Sequence, residues 1–213
     1  MRKALILGTG GHCRVVLSML MARKSHVIGA VVELDTPRVG EVIMGVSVIP
    51  LPTMLSDFSA KDDVDVFLAI GNNDLRRRWW DRVKDLGFST PNLISSYSLI
   101  DDHATIGDGN IICARAFIGA QAELGSNNLV NTAAVVDHEV TIQHHCHLAP
   151  SSTIGGRTHI SDLCMIGAGA TIVNGLFIAR NTLVGAGATL IRPVKEPNGV
   201  YVGVPAKRRD AER

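Results

Sequence analysis

From Ile94 to Leu190 every sixth residue is aliphatic: Ile94, Ile100, Ile106, Ile112, Ile118, Leu124, Val130, Val136, Ile142, Leu148, Ile154, Ile160, Ile166, Ile172, Ile178, Val184 and Leu190. With apolar usage at about half of residues, an unbroken series of this length arises by chance roughly once in a hundred thousand. Period six fits neither the 3.6 of a helix nor the two of a half-buried strand. A strict short period marks a solenoid, and the hexapeptide period marks a parallel β-helix. Each hexad supplies one short strand and one corner, three hexads close a triangular coil, and the aliphatic residue points into the prism. The position two residues earlier is small at Ala104, Ala116, Ala122, Ala134, Cys146, Ser152, Cys164 and Ala188, as an inward site near a corner requires; Val140 and Leu176 are the large exceptions.

Working outward, the segment ahead of the repeat alternates strands with helices. Lys3 to Gly8 reads as a buried strand and Cys13 to Arg23 as a helix. His26 to Glu33 is a second strand, Val46 to Leu51 is extended up to Pro52, Asp65 to Ile70 is a third apolar strand, and Asp74 to Leu86 is a helix. This pattern predicts a small Rossmann-like parallel α/β domain over 1–91, followed by the β-helix and a C-terminal tail over 92–213.

The chain has 213 residues and a net charge of +1, which gives no case for nucleic-acid binding. No apolar run reaches the length of a membrane span, and the N-terminus is too short and too soon glycine-rich for a signal peptide, so the expected location is the cytoplasm. The four cysteines, Cys13, Cys113, Cys146 and Cys164, contain no C-x-x-C and read as reduced thiols.

Three stretches carry chemistry. Gly8-Thr9-Gly10-Gly11-His12, between a strand and a helix, has the geometry that cradles phosphates on backbone N–H groups, and Glu33 stands about where the dinucleotide fingerprint places an acid. Cys13 occupies the place of the third fingerprint glycine, which favours a nucleotide-sugar diphosphate over NAD. In Asp137-His138-Glu139 the register turns Val136 inward and leaves an imidazole between two carboxylates on an outward corner, an arrangement suited to a general base. The cluster His144-His145-Cys146-His147 invites a metal, but Cys146 is inward and the histidine spacing does not match a zinc site, so no metal is expected.

With the repeat, Gly10-Gly11-His12, Ala69-Ile70-Gly71-Asn72-Asn73, Asn131-Thr132, Asp137-His138-Glu139, His147-Leu148-Ala149-Pro150 and Gly203-Val204-Pro205-Ala206-Lys207 together, the chain resembles the PglD/NeuD-like sugar acetyltransferases of the hexapeptide-repeat superfamily over nearly its whole length. The resemblance implies a left-handed β-helix and a homotrimer with active sites between neighbouring subunits. It implies acetyl-CoA as co-substrate and a nucleotide-linked amino sugar, made for surface glycans, as acceptor. By position it assigns His138 as general base and Glu139 as the carboxylate that strengthens it. His147 would donate to the acetyl carbonyl or touch the CoA arm, and Gly156, Ala168 and Ala186, at outward turns, would meet CoA through the main chain. Gly11, His12, Cys13, Glu33, Asp35 and Gly71 would line the nucleotide-sugar site. The rival readings are sialic acid O-acetylation in the same family, a nicotinamide-binding protein and a non-catalytic β-helix scaffold.

Overall fold

The computed structural model describes residues 1–34, 38, 40–59 and 63–209. The described chain divides into two compact units, Met1–Leu93 and Ile94–Arg213.

The first unit runs β1 (Lys3–Leu7), α1 (Gly11–Arg23), β2 (Val27–Glu33), β3 (Val42–Ile43), β4 (Val46–Pro50), α2 (Leu51–Asp57), β5 (Val64–Leu68) and α3 (Asn73–Asp85). Its sheet has the order β3-β4-β2-β1-β5, parallel except for the β3–β4 hairpin. The unbroken apolar run of β1 belongs in the centre of such a sheet, and Ala4, Leu5, Ile6 and Leu7 are all at 0% exposure. From β1 the chain first builds outward to β2 and β4, then returns to place β5 on β1's other side. The carboxyl ends of β1 and β5 therefore flank the point where strand order reverses, the usual place for a ligand in an open α/β sheet. The sequence reading ended an extended segment at Pro52; instead Pro52 sits in the first turn of α2. Proline is tolerated there because the first N–H groups of a helix lack intrahelical partners anyway.

The second unit is a left-handed parallel β-helix. Two-residue strands stack in register eighteen residues apart, three hexads to a coil: Phe117–Ile118 pairs with Val135–Val136, Glu123–Leu124 with Thr141–Ile142, and Leu129–Val130 with His147–Leu148. These pairs define three flat sheets, called here face 1, face 2 and face 3 in that order. In each strand the second residue is the periodic aliphatic one; from Ile112 to Leu190 these residues are at 0–4% exposure and form one continuous core. The inward small positions carry polar atoms that satisfy the corners. Asn110 Nδ2 donates to the Gly107 and Gly125 carbonyls, and its Oδ1 accepts from the Asn128 N–H.

From Gly109 to Gly187 each corner contains a residue in the left-handed region, including non-glycine residues such as Gln121, Glu139 and Arg157 with φ between 57° and 59°. The cost, about 1 kcal/mol apiece, is offset by a repeated backbone bond to the coil before. Glu139 N–H donates to Ala120 O at 2.9 Å and Arg157 N–H to His138 O at 3.0 Å.

Candidate active site

Asp137, His138 and Glu139 form the corner between face 1 and face 2, held between the buried Val136 and Val140. Asp137 Oδ1 accepts the His138 backbone N–H at 2.8 Å, which fixes the turn. His138 Nδ1 lies 2.9 Å from Glu139 Oε2. An ionised carboxylate only accepts, so Nδ1 carries the proton and Nε2 presents its lone pair. The ring is half exposed, at 51%. One coil before it stands Ala120 and one coil after it Gly156, and the ring packs over the glycine.

The same carboxylate oxygen accepts a second bond. Arg157 Nε lies 2.9 Å from Glu139 Oε2. The His138 bond first, and the Arg157 bond with it, holds the Glu139 carboxyl below the usual carboxylate range. Arg157 escaped the sequence reading because its partner lies eighteen residues away. The available signal was an acid and a base one full coil apart.

His147 sits on face 3, half-buried, with its Nε2 3.4 Å from Asn131 Nδ2. Ala168 and Ala186 are exposed at the corner between face 3 and face 1, each between glycines, and Gly169 and Gly187 take positive φ. Gly156 is a correction in part. It lies at a turn as expected, but not with the two alanines: it is buried, and a Cβ placed on it would fall 2.6 Å from His138 Nε2 and Cε1. It belongs to the His138 corner.

In the first unit an open cleft of about 300 Å³ lies at the strand-order reversal, lined by Gly8, Thr9, Gly10, Glu33, Leu34, Ala69, Ile70, Gly71, Asn72 and Leu75. The glycines in and beside it are of two kinds. Gly8 has φ +103°, and a Cβ there would stand 3.0 Å from Ala69 O, so the fold itself needs glycine there. Gly10, Gly11 and Gly71 would each present a Cβ to open space, with nothing within 4 Å. The fold does not require their smallness; a ligand would.

Glu33 Oε2 accepts from Thr9 Oγ1 at 2.6 Å and Oε1 from the Leu34 N–H at 2.9 Å. The acid at the end of β2 thus braces the glycine loop as well as lining the cleft. Asn72 caps α3, its Oδ1 accepting from the Leu75 N–H at 2.9 Å. His12 lies in the first turn of α1, half-buried. Cys13 is a second correction. It is at 0% exposure, burial pushes its thiol up to about 11, and its N–H donates to Gly10 O, so it packs behind the loop and does not line the cleft. Asp35 lies outside the described residues.

Among the described residues no cluster of three or more histidines, cysteines or carboxylates could hold a metal ion. His144 Nδ1 accepts the Ser126 N–H at 2.9 Å, and Cys146 is buried with its thiol donating to Ser161 O at 3.1 Å, so two members of the candidate cluster serve the corner itself.

Residues 3–83 match the family described as the PglD N-terminal domain. GDP-perosamine N-acetyltransferase from Caulobacter crescentus, solved as a histidine-to-alanine variant with CoA and GDP-perosamine, is 30% identical over 98% of this chain and 97% of its own, with a TM-score of 0.89. The chain belongs to the PglD/NeuD-like sugar acetyltransferases. The acetyltransferase domain of PglB from Neisseria gonorrhoeae agrees, at 31% identity over 98% of this chain and 100% of its own and a TM-score of 0.90. WeeI from Acinetobacter baumannii shares the fold at 23% identity and a TM-score of 0.91, covering 98% of this chain and 100% of its own. No curated protein matches the sequence. As a member of the PglD/NeuD-like acetyltransferases the chain is an acyltransferase, and no helix among its described residues is long and apolar enough to cross a membrane.

Proposed function

We propose that this enzyme transfers the acetyl group of acetyl-CoA directly to the amine of a nucleotide-linked amino sugar, with His138 as general base. The observation that carries the reading is the corner geometry: a half-exposed imidazole whose Nδ1–H is held by Glu139 while its Nε2 edge lies over Gly156. The C. crescentus relative was solved with CoA and GDP-perosamine, and the N. gonorrhoeae relative with acetyl coenzyme A.

The chemistry follows from that geometry. The sugar amine attacks the thioester carbonyl, forming the C–N bond while Nε2 takes the proton the nitrogen must lose. Glu139 stabilises the resulting imidazolium. Collapse of the tetrahedral adduct breaks the C–S bond, and the imidazolium returns its proton to the departing CoA thiolate. The developing oxyanion needs a fixed donor, typically worth about 3 kcal/mol, and His147 is the candidate. The four buried cysteines give no nucleophile for an acyl-enzyme.

The exposed small-residue turns at Ala168 and Ala186 suit a CoA arm approached by main chain. They occupy the corner at the opposite edge of face 1 from His138. Face 1 carries outward Leu99, 65% exposed, and the half-buried Phe117 and Val135, an apolar column suited to packing against a second copy around a three-fold axis. A trimer built on it would shield the thioester from water and join one subunit's base to its neighbour's CoA corner. The cleft with its uncrowded Gly10 and Gly71, beside the equally uncrowded Gly11 at the start of α1, is the candidate site for the sugar nucleotide's phosphates. Such acetylated sugars are building blocks of surface glycans.

The test is a panel of nucleotide amino sugars and free or CMP-linked sialic acids, each incubated with acetyl-CoA and read by mass. Gain of one acetyl group by an amino-sugar nucleotide, with release of free CoA thiol, is the expected result. Acetylation of sialic acid alone would overturn the acceptor assignment.

A further inference from the structure

Resting on the reading of His138 as the base, we propose that Arg157 is a positioning residue that sets the strength of that base through Glu139. A single oxygen, Glu139 Oε2, accepts both His138 Nδ1–H and Arg157 Nε–H, each at 2.9 Å. The arrangement is locked from behind. Arg157 stands one coil after Glu139, in the left-handed region at φ 59°, with its own N–H on His138 O. The two residues of the corner and the arginine below them therefore hold one another by three bonds, two through side chains and one through backbone.

The electrostatic consequence has a definite sign. A carboxylate facing an imidazole favours the imidazolium over the neutral ring that accepts a proton. A guanidinium on the same oxygen draws off part of that charge and favours the neutral ring. Arginine stays protonated throughout the working range, so its influence is constant. The depressed Glu139 carboxyl is consistent with two donors sharing it.

The other groups around the ring are Asp137, whose Oδ2 is 4.0 Å from Nε2, Ala120 and Gln121 on the coil before, and Gly156 on the coil after. His103 and Glu123 share a groove with Glu139 on the face 2 side. Among the described residues bonded to the Glu139 carboxylate, Arg157 alone brings a permanent positive charge. Its side chain is 71% exposed, so solvent and salt moderate the effect.

The experiment compares kcat/KM against pH for wild type, Arg157→Gln and Arg157→Lys at low and high salt, on the best acceptor from the panel. Arg157→Gln moves the acid limb to higher pH, with the high-pH plateau largely kept. Arg157→Lys leaves the limb nearly in place, and the shift shrinks as salt rises. A merely structural arginine lowers the plateau and leaves the limb where it was. The same displacement is read without substrate from the His138 ring-carbon resonance in a pH titration, assigned by its loss in His138→Ala. An Arg157→Gln limb at or below the wild-type position overturns the proposal. His138→Ala separates the two levels: near wild-type turnover removes the base and Arg157's role with it, whereas an inactive His138→Ala beside an unmoved Arg157→Gln limb removes only the role of Arg157.

Discussion

The α-carbon of Gly156 lies directly against the imidazole of His138, so close that a Cβ there would stand 2.6 Å from both Nε2 and Cε1. Such an overlap cannot persist, and the group that yields is the free end of a side chain that is 51% exposed. Backbone need not move. Gly156→Ala is therefore expected to keep the fold, with stability within about 1 kcal/mol of wild type, while tilting the ring off its Glu139 bond. Misplacing a catalytic group by about 1 Å costs on the order of 10²-fold. The expected outcome is kcat lower by about 10- to 100-fold with KM for acetyl-CoA little changed. Full activity in a correctly folded Gly156→Ala would mean that the ring orientation seen here is not the working one.

Removing the ring itself gives a simpler result. His138→Ala is expected to lower kcat by about 10² to 10⁴, the usual contribution of a general base, while binding acetyl-CoA as wild type does. Calorimetric titration with acetyl-CoA and saturating-substrate kinetics read the two quantities separately. Near wild-type turnover would exclude His138 as the base.

These two residues mark how far the sequence could be read. The period of six assigned inward and outward positions from Ile112 to Leu190 correctly, because a β-helix buries its repeat residue in every coil and the pattern is local. It also set Asp137, His138 and Glu139 on an outward corner. The Gly156–His138 contact and the Glu139–Arg157 bond span one whole coil, and neither is visible until positions eighteen apart are laid side by side. The same blindness affects the first unit. Cys13 looked like a cleft residue because it follows the glycine loop, yet the first turn of α1 rotates it into the core, where Val16, Leu17 and Leu20 join it on the buried face. Pro52 read as a strand stop and proved to be a helix start, a distinction that depends on whether the chain beyond it has a core to pack against, as Met54 has.

The far end of the first unit offers a test of stability. Asp65, 5% exposed in its side chain, accepts from Arg2 Nε and pairs with His26 Nε2, both at 2.9 Å. Burial by itself would raise the Asp65 carboxyl; the hydrogen bonds from Arg2, His26 and Ser89 outweigh it and hold the carboxyl below its ordinary value. A folded-state value lower than the unfolded one means that the unfolded chain takes up protons more readily on acidification. The contribution is therefore complete above about pH 5 and is lost as pH falls below about 4 through the depressed folded value. Asp65→Asn is expected to cost about 2 kcal/mol at neutral pH. Urea unfolding of both proteins across the acid range should show that gap closing as pH falls. A gap that stays constant to pH 3 would show that the carboxylate's charge contributes nothing.

The glycine loop separates a tight turn from a binding site. If Gly8 to His12 serves only to reverse the chain, then Gly11, whose Cβ would meet nothing within 4 Å, can carry a side chain at little cost. If the loop's amides approach the phosphates of a sugar nucleotide, the same side chain occupies the ligand's space. Gly11→Val distinguishes the two because the protein itself has room for it. Circular dichroism and oligomer mass should match wild type, as the open surroundings of Gly11 require. Acetyl-CoA binding, assigned to the β-helix, should be unchanged, while KM for the sugar nucleotide rises by about tenfold or more, the equivalent of about 1.4 kcal/mol or greater in lost binding. An unchanged KM in a well-folded variant would reduce the loop to a turn and move the search for the acceptor site to the β-helix corners.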